Sequence, residues 1–408
     1  MLKKSKVLWL ILVAFMTVTL VFTGCHQQPA DGGDATGDGS TAAVDVVKIG
    51  FFGPITGGDA AEGTAARNAF KMAIDAANAS GDYPYKIELM IIDDQGTDSV
   101  AVAGANQIVA DPQMVAASGF WNSGPAAAAS EVFKEAEIPL LIWGAIRDTL
   151  TSAESYPWIT RSAPTAGQEN SASAAVVLDD LGYTDWFVVS DAGDYGQGNL
   201  DVFTSELAKR NLTPLGSEIV QEDATDFSAI VAKIKNSGAK AVYCGSTVEI
   251  ASLLKLQLFE AGVTDILFAG ISGMKTADFL KIGAEAAEGA LVVSPGVDLQ
   301  TTEAGLAFVD AYTTAGFSEP IGAYTPYAYE AALIMLNALS ACGEAPTAAL
   351  MVDAIKDSNT TGVFGTTTFD EIGQTTNVAT YLNVVQDGAW VNYINSEYAS
   401  GVRSFGGK

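Results

Sequence analysis

The 408-residue chain contains one histidine, His26, and three cysteines, Cys25, Cys244 and Cys342. His26 lies in a Gly- and Asp-rich stretch near the start, so the folding region cannot assemble a Ser-His-Asp or Cys-His apparatus or an imidazole zinc site. The cysteines lack metal-type spacing, and Cys244 and Cys342 could form one disulfide or stay as two buried thiols. No Walker-type phosphate loop occurs, and Gly193, Gly196 and Gly198 of DAGDYGQG have the wrong spacing for a dinucleotide fingerprint. Carboxylates and hydroxyls in loops remain. They can hold a small polar molecule without transforming it, so neither a metal nor a cofactor is expected.

The elements that must carry those loops follow from the apolar pattern. Short β-branched runs at 46–52, 86–93, 114–118, 138–143, 185–190, 215–220, 240–244, 265–269 and 289–293 read as strands. Amphipathic stretches near 60–79, 97–109, 125–135, 166–181, 196–209, 226–236 and 248–261 read as the helices between them. Such alternation predicts an α/β fold with parallel sheets covered by helices on both faces. About 360 folding residues exceed what one hydrophobic core normally serves, so two domains are expected. Ligands of such sheets sit beyond the carboxyl ends of the strands. The loops of interest are therefore 53–63, 119–124, 143–148, 191–195, 245–248 and 270–275.

The first 24 residues carry Lys3, Lys4 and Lys6, then an apolar run from Val7 to Phe22, then Thr23 and Gly24 before Cys25. This order predicts an export signal. The run is short of the ~20 residues that span a bilayer, which favours cleavage over a retained helix. Val21 to Cys25 resemble a bacterial lipobox, with Phe22 where leucine is usual, and this implies a lipid on Cys25. Residues 25–45 are too polar to fold and read as a flexible tether. Without the three lysines of the signal, 18 basic residues face 48 acidic ones, a net charge of −30. A surface this acidic repels phosphate backbones and argues against nucleic-acid binding.

Several segments then resemble landmarks of one family, in order along 46–394: VVKIGFFGPITGGDAAEGTAARNAF, IIDDQGTDSVAVAGANQIV, GFWNSGPAAAASEVF, IPLLIWGAIRDTLT, VVSDAGDYGQG and GVFGTTTFDEIGQ. They resemble the branched-chain amino acid class of ABC transporter substrate-binding proteins, the type I periplasmic binding proteins. The resemblance implies two Rossmann-like lobes joined by a three-strand hinge. Residues 46–162 plus 296–360 would form the N-terminal lobe and 163–295 plus 361–408 the C-terminal lobe, with crossovers near 161–165, 294–297 and 357–364. It further implies a monomer on the extracytoplasmic face of the membrane that captures an amino acid or similar small carboxylate and delivers it to an ABC permease. A ligand sensor of the same fold, or a binder of an aromatic acid, is the alternative.

By the same resemblance, Ser123 holds the ligand carboxylate, with Trp121 and Asn122 before it. Ser123 also suits a helix N-cap. The next loop supplies Gly144, Ala145 and Ile146; the family has a hydroxyl where Ile146 stands, and Arg147 next to it could bring charge. Tyr195, Ser246, Thr247 and Tyr324 match positions around the rest of the ligand. The family's acidic partner for the ligand ammonium falls on Ser272, and a serine cannot neutralise a buried ammonium. Glu62 and Asp191 are the candidate substitutes, unless the ligand is not a standard α-amino acid. Trp121 and Trp143 suggest flat apolar walls.

Overall fold

A computed structural model describes residues 45–407. The export segment, Cys25 and the tether up to residue 44 lie outside them. The first sheet contains β1 (Val46–Gly53), β2 (Lys86–Asp93), β3 (Met114–Gly119), β4 (Leu140–Ile142) and β5 (Ile159–Arg161). Helices α1 (Ala60–Ser80), α2 (Asp98–Val109) and α3 (Ser123–Glu135) connect the first four. All pairings are parallel, in the order β2-β1-β3-β4-β5. β3 is buried along its whole length because helices cover both faces, which is why its sequence MVAASG shows no alternation.

After α4 (Ala166–Ala174) come β6 (Trp186–Asp191), α5 (Asp194–Lys209), β7 (Gly216–Val220), α6 (Ser228–Ser237), β8 (Ala241–Gly245), α7 (Val248–Glu260), β9 (Leu267–Gly270), α8 (Ala277–Gly283) and β10 (Ala290–Pro295). The chain then forms α9 (Glu303–Ala315), α10 (Thr325–Cys342), α11 (Ala348–Lys356), β11 (Thr360–Gly362), β12 (Gly365–Thr367), β13 (Thr380–Gln386) and β14 (Ala389–Asn392). The second sheet runs β14-β13-β10-β9-β8-β6-β7. Its parallel part ends at β10, where β13 joins antiparallel. β13 and β14 pair across Asp387 and Gly388, both at positive φ, as a two-residue hairpin requires.

The strand and helix succession is the α/β arrangement expected from the apolar pattern, with local differences. The helix expected over 166–181 is α-helical only to Ala174 and widens to a π-helical turn over Ala175–Asp180. Its start is fixed by a capping box in which Thr165 and Gln168 satisfy each other's backbone N–H groups. The segment expected as the third crossover, 357–364, runs instead into the β11–β12 hairpin over 360–367. The carboxylate of Glu330 in α10 holds it, accepting from the Val363 amide at 2.8 Å and the Thr367 hydroxyl at 2.9 Å. The chain joins the second sheet only at Thr380. Cys244 and Cys342 are free thiols, Cys244 fully buried in β8 and Cys342 at the end of α10.

In both sheets the strand order reverses once within the parallel part, between β1 and β3 in the first and between β6 and β8 in the second. Neighbouring connections leave a reversal point on opposite faces, so a crevice opens there beyond the strand ends. The loops after β1, β3, β6 and β8 are thereby committed to such crevices before any side chain is considered. Among the described residues no helix is long and apolar enough to cross a membrane.

Candidate functional site

The two crevices share one cavity. Asp59, Trp121, Asn122, Gly144 and Ile146 line it from loops of the first sheet; Tyr195, Thr247, Val248, Ser272 and Gly273 line it from loops of the second; Tyr324 reaches it from the start of α10. Each of the six loops anticipated beyond the strands contributes. None of the eleven lining residues is Lys, Arg or His.

Backbone geometry explains how the first-sheet loops come together. The Trp143 and Ala145 amides donate to the carbonyls of Gly119 and Phe120 at 3.0 and 2.9 Å, which zips the loop after β4 to the loop after β3. Gly144 sits in that seam, where a Cβ would stand 2.9 Å from the Phe120 carbonyl oxygen, so only glycine fits without movement. The turn after β1 is pinned by Asp93, whose carboxylate accepts from the amides of Ile55, Thr56 and Gln95 and from the Thr56 hydroxyl. These bonds outweigh desolvation and hold its pKa below the usual carboxylate range.

Arg161 fastens the same loops from below. The side chain is fully buried, and its guanidinium donates to Gln374 Oε1 at 2.7 Å, to the carbonyls of Ala145 and Arg147 at 3.2 and 2.7 Å, and to the Thr151 hydroxyl at 3.2 Å. Burial pushes its pKa down to about 10, which leaves it charged at neutral pH. The rigid fork of donors suits this set of divergent carbonyls, as an ammonium would not.

At the first-sheet end of the cavity, Asn122 donates to Asp59 Oδ2 at 2.8 Å. Burial raises the Asp59 pKa, against the hydrogen bonds of Asn122 and Trp121. The Trp121 ring packs edge-on to Tyr324, with centroids 5.2 Å apart. Trp143 stands behind it in the core, stacked on Phe51 and donating its indole N–H to the Phe52 carbonyl at 3.1 Å. Of the two indoles, only Trp121 faces the cavity.

Beyond Trp121, Tyr324 meets Ser272, their hydroxyl oxygens 3.0 Å apart. The Tyr324 hydroxyl also donates to Glu169 in α4, an acid that is fully buried behind both. Burial pushes the Glu169 pKa up to about 7, opposed by hydrogen bonding from Ser272 and Tyr324. Its Oε2 has no hydrogen bond of full geometry. Tyr195 lies close by, its hydroxyl accepting from the Gly273 amide at 3.3 Å.

The remaining anticipated residues stand elsewhere. Ser123 is the first residue of α3, fully buried, and its hydroxyl accepts from the Arg147 amide at 3.4 Å; Asn122, rather than Ser123, occupies the cap position. Ala145 is buried core. Ser246 donates to Asp191 Oδ2 at 2.5 Å, and Asp191 Oδ1 accepts from the Gly193 amide at 2.9 Å. Asp191 and Ser246 thus satisfy each other and brace the loop after β6. Glu62 lies one helical turn beyond Asp59, with its Oε2 buried and unpartnered; burial and the nearby Asp59 raise its pKa to about 8. Arg147 pairs with Asp194 at the start of α5. Asp59, Val248, Gly273 and Glu169 were not singled out in the sequence. Asp59 had a readable signal, since it closes the turn leading into the first helix.

Residues 46–389 match the family model of the periplasmic binding proteins, and the chain belongs to that family. It is 28% identical over 336 residues to the Leu/Ile/Val-binding protein homolog 3 of Brucella melitensis, covering 82% of this chain and 90% of the relative. A branched-chain amino acid transporter substrate-binding protein from Streptococcus pneumoniae, solved with isoleucine, superposes with a TM-score of 0.76 at 23% identity, covering 85% and 97% of the two chains. A solute-binding protein of R. palustris solved with 4-hydroxybenzoate superposes with a TM-score of 0.75 at 20% identity, covering 85% and 95%.

Proposed function

We propose that this protein captures a small ammonium-bearing solute, an amino acid of the branched-chain or a related class, in the cavity between its two sheets. The observation that carries the reading is the cavity's charge. Asp59 lines it, Glu169 stands behind its far wall, and no basic side chain faces it. An aromatic monocarboxylate would bring a further carboxylate beside these acids without a cation to meet it, which is costly away from water. A zwitterion brings its own cation.

Capture couples to closure. The lobes expected at 46–162 with 296–360 and at 163–295 with 361–408 close on the ligand, with the β11–β12 hairpin and Gln374 moving with the first lobe, to which Glu330 and Arg161 hold them; a permease recognises the closed form and accepts the cargo. The protein acts as a monomeric binder without catalysis, tethered outside the cytoplasmic membrane through a lipid on Cys25.

Thermal unfolding with each of the twenty amino acids, benzoate and 4-hydroxybenzoate tests the reading. At least one amino acid should raise the midpoint by several degrees at millimolar concentration, as mass action on the folded state requires. A response to the aromatic acids alone assigns the site to that class instead. Metabolic labelling with palmitate, lost on Cys25→Ser, tests the anchor.

A further inference from the structure

Tyr324 and Ser272 form one wall of the cavity, and the hydrogen-bond polarity of that wall is that of an acid. Glu169 is wholly buried in α4 and faces Tyr324 and Ser272 from behind. While Glu169 is ionised it accepts only, so the single Tyr324 proton must point to it. The Ser272 proton is then committed to the Tyr324 oxygen, 3.0 Å away, or to Glu169 itself. In both arrangements the two hydroxyls keep only lone pairs for the cavity.

We infer that Glu169, acting through Tyr324 and Ser272, makes this wall an acceptor-only face that receives the ligand's ammonium. The inference rests on the proposed capture of an amino acid. Glu169 is a positioning residue here: it orients two hydroxyls and supplies the buried negative charge that an ammonium, three donors and no acceptor, complements.

The same geometry predicts a reversal. A protonated Glu169 can donate to Tyr324, which frees the tyrosine proton to point elsewhere and turns an acceptor wall into a mixed one. Around it stand Tyr324 just before α10, Tyr327 of α10, Tyr195 of α5, Tyr243 of β8 and Arg161 of β5. β10 has no ionisable residue and β13 only Tyr381. Arg161 is the one cation in this set, and its hydrogen bonds all go elsewhere. With burial holding Glu169 near 7, amine preference should weaken as pH falls below that value.

Calorimetry on the folded protein at pH 8 compares L-isoleucine with its des-amino analogue 3-methylpentanoate, or the equivalent pair for whichever amino acid gives the largest thermal shift. Wild type should prefer the amine by at least about 100-fold. Glu169→Gln should cut that ratio at least about tenfold, Glu169→Asp should restore part of it, and lowering the pH to 5.5 should reduce it in wild type but not in Glu169→Gln. Tyr324→Phe, which removes the relay without burying a new group, should also cut the ratio and serves if Glu169→Gln does not fold. An unchanged ratio in both variants, or a flat wild-type pH profile, overturns the inference while leaving amino acid capture intact. If no amino acid binds wild type, the proposed function fails and the inference falls with it.

Discussion

Arg147, in the loop after β4, donates through Nη1 to the carboxylate of Asp194, the first residue of α5, and so ties the first sheet to the second beside the cavity. Ile146, next to Arg147, and Tyr195, next to Asp194, both line that cavity. The pair is therefore sensitive to whether the two sheets are drawn together.

Both side chains are about one-third exposed, at 30% and 39%, so the pair is worth about 0.2–1 kcal/mol. Arg147→Ala should weaken ligand affinity roughly two- to fivefold with little change in the melting temperature of the free protein. A double-mutant cycle with Asp194→Ala read by calorimetry checks it. Coupling of zero, or coupling that does not shrink with added salt, would show that the pair does not report closure.

Arg161 is predicted to be structural. Arg161→Met leaves the carbonyls of Ala145 and Arg147 and the Gln374 amide without their donor, a loss of about 3 kcal/mol or more. Arg161→Lys should recover little, because one ammonium cannot serve four divergent acceptors. Urea melts of the two variants give the answer, and a lysine variant as stable as wild type contradicts it.

The two indoles should separate cleanly. Trp143→Ala empties a fully buried site and should cost about 3–5 kcal/mol of stability. Trp121→Ala should leave most of the stability intact and reduce affinity at least about tenfold. Paired melting and binding measurements distinguish the outcomes, and equal loss of stability in both would place Trp121 in the core.

Stability should fall as pH rises from about 5 to 8. Burial raises Glu62 to about 8 and Asp94, Glu169 and Glu330 to about 7, whereas in the unfolded chain such acids ionise near pH 4. Across that window the folded protein holds more protons than the unfolded one, so deprotonation favours unfolding. Ligand-free protein should melt lower at pH 8 than at pH 5.5, and Glu62→Gln should flatten the last part of the slope. A midpoint that climbs with pH contradicts the burial of these groups.

Much of the frame is legible in the sequence. Strand runs such as KIELMIID and helix runs such as AAEGTAARNAFKMAIDAANAS declare themselves by period, and a parallel sheet sends ligand loops to one edge. The Asp387-Gly388 hairpin and the Thr165–Gln168 capping box were not singled out in the sequence, although each acts within a few residues. Trp143 was ambiguous because an indole at a strand end reads the same whether its ring turns to a cavity or into the core.

The sequence by itself determined the alternating α/β frame, the acidic balance, the absence of histidine from the folded region, and the loops that reach the cavity. Those properties are either compositional or local, decided by backbone preference and apolar period over a few residues. Only the tertiary structure decided that Asp191 would be satisfied by Ser246, that Arg161 would clip the loop after β4 to Gln374, and that Glu169 would stand behind Tyr324, 155 residues away in the chain. A surface acid and a buried counter-charge carry the same letter; which one it becomes depends on distant elements that exclude water from it.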